Sequence, residues 1–166
     1  MAKTLYAFDF DNTLVTYDDL IYSVAKERGL IETGVRANKK DIRDSIRQLP
    51  DGDIEWQKIQ AFIYGPQIHQ AIPSPGVVDF LTHCRVAGYS LVLVSHKTKF
   101  ANYDETGTNL RIAAMRWLRQ NKLLELPFDG IFFEPTRKKK LKRIELAGCG
   151  YFIDDLKETF EEESFP

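Results

Sequence analysis

Two aspartates separated by one residue, Asp9 and Asp11, stand at the end of a short apolar stretch that begins at Leu5. Side chains alternate along a strand, so both carboxylates point to the same side while Phe10 points to the other. Two carboxylates this close repel each other when both are ionised. Either one of them holds a proton, which suits a general acid, or a cation lies between them. Mg2+ fits the second case, because this hard ion takes carboxylate and phosphate oxygens.

The stretch that carries these aspartates reads as a strand of a parallel sheet. Its apolar side chains alternate between the two faces of the strand, with Tyr6, Phe8 and Phe10 on one face and Leu5 and Ala7 on the other. Apolar residues on both faces are typical of a strand that is covered on both sides. Parallel sheets bind their ligands beyond the carboxyl ends of the strands, which is where Asp9 and Asp11 lie.

Three further apolar runs predict more strands of the same sheet, at Tyr89–Ser95, Phe128–Phe133 and Gly150–Ile153. Helical spacing between them predicts helices from Val77 to Gly88, from Leu110 to Asn121 and from Pro135 to Ala147. This alternation implies right-handed βαβ units and a fold of the α/β class with a Rossmann-like parallel sheet. Two of the runs deliver polar groups to the edge where the two aspartates lie: Ser95, and the pair Asp154 and Asp155.

A helical insertion separates the first predicted strand from the rest of the sheet. Apolar spacing predicts helices near residues 18–28, from about Asn38 to Leu49, and from Asp53 to a disturbance at Gly65-Pro66. Whether His69, Ala71 and Ile72 continue the last helix is left open by the sequence. Pro73-Ser74-Pro75-Gly76 then marks a boundary. The predicted domains are therefore an α/β core of residues 1–16 and 73–166, and a small helical insertion of residues 17–72.

Composition excludes several classes of partner. Lysines and arginines number 23 against 24 acidic residues, so no excess of charge favours nucleic acid or a membrane surface. No apolar run approaches the length of a membrane span, and Met1–Thr4 leads directly into the first strand, so we expect neither a transmembrane helix nor a signal peptide. Cys84 and Cys149 lack metal-ligand spacing and indicate a reducing compartment, which predicts a cytoplasmic protein.

A basic run, Arg137–Arg143, offers the cation that the acidic groups need. It is a poor nucleic-acid footprint because no aromatic residues are interleaved with it. On a helix whose apolar residues form the packed face, Lys140 lies at the edge of that face, whereas Lys138 and Lys139 fall towards solvent. Lys140 is therefore the lysine best placed to reach inward, at a helix N-terminus that itself attracts phosphate.

These four groups of residues, in this order, resemble the motifs of the haloacid dehalogenase (HAD) superfamily. The first motif, D-x-D-x-T-[LV], matches Asp9-Phe10-Asp11-Asn12-Thr13-Leu14, and the second, an apolar strand ending in Ser or Thr, resembles Leu91–Ser95. The third is a lysine near a helix start, which resembles Lys140. The fourth, an apolar strand ending in an acidic pair, resembles Phe152–Asp155. The motifs span nearly the whole chain, and the insertion lies where the family places a helical type-1 cap.

The resemblance implies catalytic and metal-binding roles. Asp9 would attack phosphorus and form an aspartyl-phosphate, and Asp11 would protonate the leaving oxygen and then activate water. Mg2+ would be held by Asp9, by the main-chain carbonyl of Asp11 and by Asp154, with Asp155 as a further ligand or a neighbour of the ligands.

The remaining site residues would act on the phosphoryl group and the substrate. Ser95 and Lys140 would hold phosphoryl oxygens, and Thr13 would help to set Asp11. His96 and Lys97 follow Ser95 into the same edge; each could contact substrate or simply belong to the loop.

The resemblance implies a Mg2+-dependent phosphatase that acts on a small phosphorylated metabolite. The family's dehalogenases lack a second aspartate at the position of Asp11, so its presence favours phosphate chemistry. Two alternatives remain: a phosphotransferase that uses the same site, and a non-catalytic binding or scaffold domain. Family cores continue to a further strand, whereas this chain ends in an acidic segment after Asp155. The fourth strand is therefore expected at an exposed edge, which leaves the oligomeric state open.

Overall fold

The computed structural model describes residues 4–126 and 128–166. Predictions that concern Met1–Lys3 lie outside the described residues. The strands are β1 (Leu5–Phe8), β2 (Val15–Thr16), β3 (Ile72–Pro73), β4 (Ser90–His96), β5 (Gly130–Glu134) and β6 (Tyr151–Ile153). The helices are α1 (Asp18–Glu27), α2 (Lys39–Ile46), α3 (Gly52–Tyr64), α4 (Val77–Val86), α5 (Leu110–Gln120), α6 (Arg137–Ala147) and α7 (Lys157–Phe160). None of these described helices has the length and apolar character needed to cross a membrane.

Four of the strands form one parallel sheet in the order β5-β4-β1-β6. Ala7 lies opposite Val92 of β4 and Phe152 of β6, so β1 is an inner strand with partners on both sides. This arrangement confirms the predicted α/β class with a Rossmann-like parallel sheet. The strand before Asp154 and Asp155 is an edge strand, as the motif order predicted.

Helices cover both faces of the inner strands. One buried cluster joins β1 and β4 to α6, and its members are Ala7, Val92, Val94, Leu141 and Ile144. On the opposite face, the ring of Phe8 meets the ring of Phe80 from α4 edge to face, with centroids 6.1 Å apart. Burial on both faces explains the apolar residues of β1 and of Leu91–Val94 in β4.

The described chain divides into two compact units. The first contains the parallel sheet, and its described residues are those up to Thr16, Pro73–Lys99 and Leu118–Pro166. The second contains Tyr17–Ile72 and Phe100–Trp117. The division differs from the predicted one in a single segment, because 100–117 lies in the second unit and not with the sheet. One cause is a hydrogen bond inside that unit, in which the fully buried indole of Trp117 donates to the carbonyl oxygen of Ala71 at 2.8 Å.

The end of α3 falls at the disturbance that the sequence marks at Gly65-Pro66, and the possible continuation beyond it does not form. The helix stops at Tyr64 and does not continue through Ile72. Pro66 has no amide hydrogen to donate, and its ring disfavours the helical conformation of Gly65, which has φ −101° and ψ −104°. A 3₁₀ turn at Ile68–Gln70 follows, and then β3, which pairs with β2 in a separate two-stranded sheet.

Candidate active site

The backbone at the end of β1 places Asp9 beside the end of β6. The strand itself ends at Phe8, but the amide of Asp9 still donates to the carbonyl oxygen of Ile153 at 2.8 Å. Pairing therefore continues by one bond beyond the strand, and Asp154 is the next residue along the neighbouring chain segment. Asp9 is buried, with 5% of its surface exposed.

A tight turn follows and carries Asp11. Asn12 adopts the left-handed conformation, with φ +59°, which asparagine tolerates better than most residues. The amides of Thr13, Leu14 and Val15 all point at the carbonyl oxygen of Phe10, at 3.3, 3.0 and 3.3 Å. Asp11 thus lies on a hydrogen-bonded turn beyond β1, and not on the strand.

Helix α6 delivers the lysine that the helical spacing selects. The helix is capped by Thr136, whose hydroxyl oxygen accepts a hydrogen bond from the amide of Lys139 at 3.2 Å. Lys140 lies in the first turn and is 2% exposed, whereas Lys138 and Lys139 are exposed. The packed and solvent faces of this helix therefore fall where the sequence places them.

The ammonium of Lys140 joins two of the predicted site carboxylates. Its Nζ lies 2.7 Å from Oδ1 of Asp9 and 2.6 Å from Oδ2 of Asp154. The side chains of all three residues are almost completely buried. A buried charge is stable only when it is paired and hydrogen-bonded, so these three side chains form one mutually dependent group.

Burial dominates the electrostatics of Asp9. Desolvation, together with the negative charges of Asp11 and Asp154, outweighs the opposing effect of Lys140 and raises the pKa of Asp9 from 3.8 to about 6. The carboxylate is therefore ionised at neutral pH but takes up a proton in mildly acidic solution. A bound cation beside it would favour the ionised form.

Three carboxylates form a group that fits a divalent cation. Asp9, Asp154 and Asp155 each offer one oxygen, and these oxygens lie within 4.8 Å of one another. An all-oxygen donor set of this kind suits Mg2+. Oδ1 of Asp154 also accepts from the amide of Leu156 at 2.9 Å, which holds that carboxylate in place. Within the described chain, the carboxylate of Asp11 is not part of this group, and its metal contact through the main chain stays a prediction.

Two buried hydroxyl groups have no hydrogen-bond partner among the described residues, Oγ of Ser95 and Oγ1 of Thr13. Ser95 is 1% exposed and lies near the carboxyl end of β4, beside β1 in the sheet. A buried hydroxyl that lacks a partner costs free energy. A ligand with acceptor oxygens, such as a phosphoryl group, would supply what Ser95 lacks.

His96 is the last residue of β4 and is exposed. Desolvation of part of its ring and the positive charges of Lys140 and Arg137 lower its pKa, despite an opposing hydrogen bond at Pro135. Its imidazole therefore takes up a proton less readily than that of a free histidine. Direct contact with substrate stays a prediction for this residue.

Lys97 has a specific partner that the sequence did not identify. Its side chain is 2% exposed, and its Nζ lies 2.8 Å from Oδ2 of Asp11. The available signal was its spacing: Lys97 stands two positions after Ser95, so an extended chain turns both side chains to one face. That spacing could place Lys97 at the site, but the pairing with Asp11 depends on the turn after β1.

Comparison with known proteins gives the fold. A scan against models of protein families finds no match, and a search of curated proteins finds none. Among solved structures, a haloacid dehalogenase-like hydrolase from Streptococcus pneumoniae is similar with a TM-score of 0.62 and 18% sequence identity. The match covers 96% of this chain and 79% of that protein.

Two more solved structures give the same result. A HAD-superfamily hydrolase of subfamily IA, variant 1, from Geobacter sulfurreducens has a TM-score of 0.56 at 14% identity, covering 95% of this chain and 80% of that one. A HAD-superfamily hydrolase from Ehrlichia chaffeensis has a TM-score of 0.55 at 14% identity, covering 97% and 83%. This chain therefore has the fold of HAD-superfamily hydrolases, as the motif resemblance predicted.

Proposed function

We propose that this protein is a Mg2+-dependent phosphatase that hydrolyses a small phosphorylated metabolite through an aspartyl-phosphate on Asp9. The observation that carries the proposal is the buried group of Asp9, Lys140 and Asp154 at the carboxyl edge of the parallel sheet. Buried charge clusters are costly, and they are concentrated at sites that use them. The fold shared with HAD-superfamily hydrolases agrees with this reading.

In the first step, a carboxylate oxygen of Asp9 attacks phosphorus. The bond between phosphorus and the leaving oxygen breaks, and its electron pair goes to that oxygen, which takes a proton from Asp11. The product of this step is the free alcohol and a phosphoryl group bound to Asp9. In the metal-free protein the raised pKa of Asp9 favours the protonated, non-nucleophilic acid in mildly acidic solution, and a cation bound beside it would favour the attacking carboxylate.

In the second step, water attacks the phosphoryl group while Asp11 takes the proton of that water. The bond between phosphorus and Asp9 breaks, and inorganic phosphate leaves. Asp11 therefore finishes the cycle protonated, ready for the next leaving group. Both steps require Asp11 to reach an oxygen on the same side of phosphorus.

Phosphoryl oxygens have natural partners in this site. The unpartnered hydroxyl of Ser95 would donate to one, and the ammonium of Lys140 would bind another. Mg2+, held by Asp9, Asp154 and Asp155, would reduce the repulsion between the carboxylate and the anionic substrate. Each of the carboxylates paired with Lys140 has a second oxygen, so the ion pair leaves ligands for the metal.

Hydrolysis of para-nitrophenyl phosphate tests the proposal. We expect turnover in Mg2+, loss of turnover in EDTA, and loss of about a hundredfold or more in Asp9→Asn. Asp19→Asn, at an exposed aspartate, is the matched control and should keep full activity. Nitrophenol released in excess over inorganic phosphate would instead identify transfer to another acceptor. Turnover that survives in Asp9→Asn would overturn the assignment of the nucleophile.

The compartment stays a prediction of the sequence. Cys84 and Cys149 are both free thiols in the structure. We retain the cytoplasm as the expected location on the basis of cysteine usage alone.

A further inference from the structure

Lys97 is a buried lysine at the end of β4. It is 3% exposed, and its amide donates to the carbonyl oxygen of Glu134 at 2.9 Å, which extends the pairing of β4 with β5 by one bond. The sheet therefore fixes the backbone from which this side chain extends. The ammonium lies 5.2 Å from the centroid of the Phe10 ring, a distance at which an aromatic face attracts a cation.

The ammonium of Lys97 contacts both oxygens of one carboxylate. Its Nζ lies 3.1 Å from Oδ1 and 2.8 Å from Oδ2 of Asp11. Lys140, the other lysine that is buried among the described residues, pairs with Asp9 and Asp154. Lys140 therefore pairs with the proposed nucleophile and a proposed metal ligand, whereas Lys97 pairs with the residue that would transfer protons.

Asp11 needs such a restraint. It lies on the turn after β1, its side chain is 19% exposed, and a carboxylate on a turn can adopt several rotamers. A group that transfers protons must reach its target within about 2.6–3.2 Å. A contact with both carboxylate oxygens limits rotation as well as position, which is the kind of support that a preorganised site requires.

We propose that Lys97 is a positioning residue that holds the carboxylate of Asp11 in the orientation needed to protonate the leaving oxygen and to activate water. This inference rests on the proposed phosphatase function. It assigns Lys97 to the leaving-group side of the reaction. It does not require Lys97 to contact the phosphoryl oxygens.

Leaving-group dependence separates this role from phosphate binding. An alkyl phosphate has a poor leaving group that depends on protonation, whereas para-nitrophenyl phosphate expels a stable anion that depends on it little. Lys97→Met should lower kcat/KM by about tenfold or more for β-glycerol phosphate and by only about twofold for para-nitrophenyl phosphate. Inhibition by inorganic phosphate should change by less than about twofold, because Ser95 and Lys140 are intact. Lys99→Met, at an exposed lysine two residues away, is the control.

A double-mutant cycle tests whether Lys97 acts through Asp11. In an Asp11→Asn background, Lys97→Met should cause no further loss of kcat/KM on either substrate. Equal losses on both substrates, weaker inhibition by phosphate, or additive losses in the cycle would overturn the inference. If Lys97→Met does not fold, Lys97→Arg, which keeps the charge, is used for the test. Its loss of kcat/KM should again be larger for the alkyl phosphate than for para-nitrophenyl phosphate.

Failure of the proposed function has a different signature. Wild-type protein without Mg2+-dependent turnover of either substrate would refute the phosphatase itself. Active wild type with an unaffected Lys97→Met variant would refute only the role of Lys97.

Discussion

At the scale of single residues, the central group of the site is the carboxylate of Asp9, whose ionised form is disfavoured by burial in the folded protein. Burial raises the pKa of Asp9 to about 6 even though Lys140 lies 2.7 Å away. The ionised form that a nucleophile needs is thus the form that burial penalises. The free energy of unfolding of the metal-free protein should therefore depend on pH.

The direction of this pH dependence follows from the pKa values of Asp9 in the folded and unfolded states. The folded value of about 6 exceeds the ordinary 3.8, so protonation favours the folded state; this contribution is complete below 3.8 and is lost as pH rises through 6. In EDTA, Asp9→Asn should therefore be more stable than wild type at about pH 7.5. Its advantage in free energy of unfolding should grow by roughly 1 kcal/mol between about pH 5 and pH 7.5.

Urea unfolding in EDTA across this pH range measures the effect. Asp19→Asn, at an exposed aspartate, should show no such trend. An Asp9→Asn variant less stable than wild type at every pH would contradict the account of Asp9.

Removal of the ammonium at Lys140 should damage both stability and activity. Lys140→Met leaves the carboxylates of Asp9 and Asp154 buried without their cation, which costs about 3 kcal/mol in comparable cases, and turnover should fall about a hundredfold or more. Lys138→Met and Lys139→Met change exposed lysines and should stay within about 0.5 kcal/mol of wild type. Equal effects at the three positions, measured by thermal unfolding and turnover, would refute the burial pattern.

Part of the candidate site could be predicted from spacing. The D-x-D pattern singled out Asp9, helical periodicity distinguished Lys140 from its two neighbours, and the structure brings these two side chains together; their catalytic roles stay predictions. The pairing of Lys97 with Asp11 could not be predicted, because those residues are 86 positions apart and meet through the turn at Asn12. That turn depends on hydrogen bonds to a single carbonyl oxygen, for which the sequence carries no periodic signal.

At the scale of elements, the first turn of α6 controls where Lys140 reaches. Thr136 caps the helix, and Lys140 follows four residues later, with its amide bonded to the carbonyl oxygen of Thr136 at 3.0 Å. Fraying of this turn would move the ammonium away from Asp9. The cap is therefore expected to affect catalysis as well as stability.

Thr136→Ala should lower the free energy of unfolding by about 1 kcal/mol and reduce turnover several-fold. Asn38→Ala removes an equivalent cap from α2, where Oδ1 of Asn38 accepts from the amide of Asp41 at 2.8 Å. Its stability loss should be similar and its effect on turnover smaller. Chemical unfolding and steady-state rates on both variants make the comparison; similar rate losses would mean that the α6 cap has no special role.

Elements of the parallel sheet were predictable because each joins an apolar run to a polar end. The two-residue strands β2 and β3 were not, since a strand of that length is too short to show an alternating pattern. The end of α3 was predictable in principle. The sequence marked a disturbance at Gly65-Pro66 and left a continuation through Ala71 and Ile72 open, and in the structure the helix ends at the disturbance.

At the scale of the whole molecule, the chain forms two compact units, and the second takes in a segment distant in sequence from the predicted insertion. Length and boundary signals identified Pro73 as a division point. They carried no information on residues 100–117, because the assignment of this segment to the second unit depends on long-range contacts. One of these is the hydrogen bond from Trp117 to Ala71, 46 residues apart.

Trp117→Phe tests this contact within the second unit. Phenylalanine keeps one aromatic ring but lacks the NH and the rest of the indole, so the carbonyl oxygen of Ala71 loses its buried donor and a small cavity is left. We expect a loss of at least about 1–3 kcal/mol in unfolding free energy. Leu118→Met, at an adjacent and fully buried position, keeps the volume and should cost less than about 1.5 kcal/mol. Circular dichroism during urea unfolding gives both values. A neutral Trp117→Phe variant would show that the indole hydrogen bond does not hold this segment.

The central claim is that Asp9 becomes phosphorylated during turnover, and trapping the phosphoenzyme tests it most directly. Protein quenched in acid during steady-state turnover in Mg2+ is treated with borohydride, which reduces an aspartyl-phosphate to homoserine, and the peptides are mapped by mass spectrometry. We predict homoserine at position 9 in wild type and unmodified chain in Asp9→Asn. Homoserine at another aspartate, or active wild type with no modification at position 9, would contradict the account.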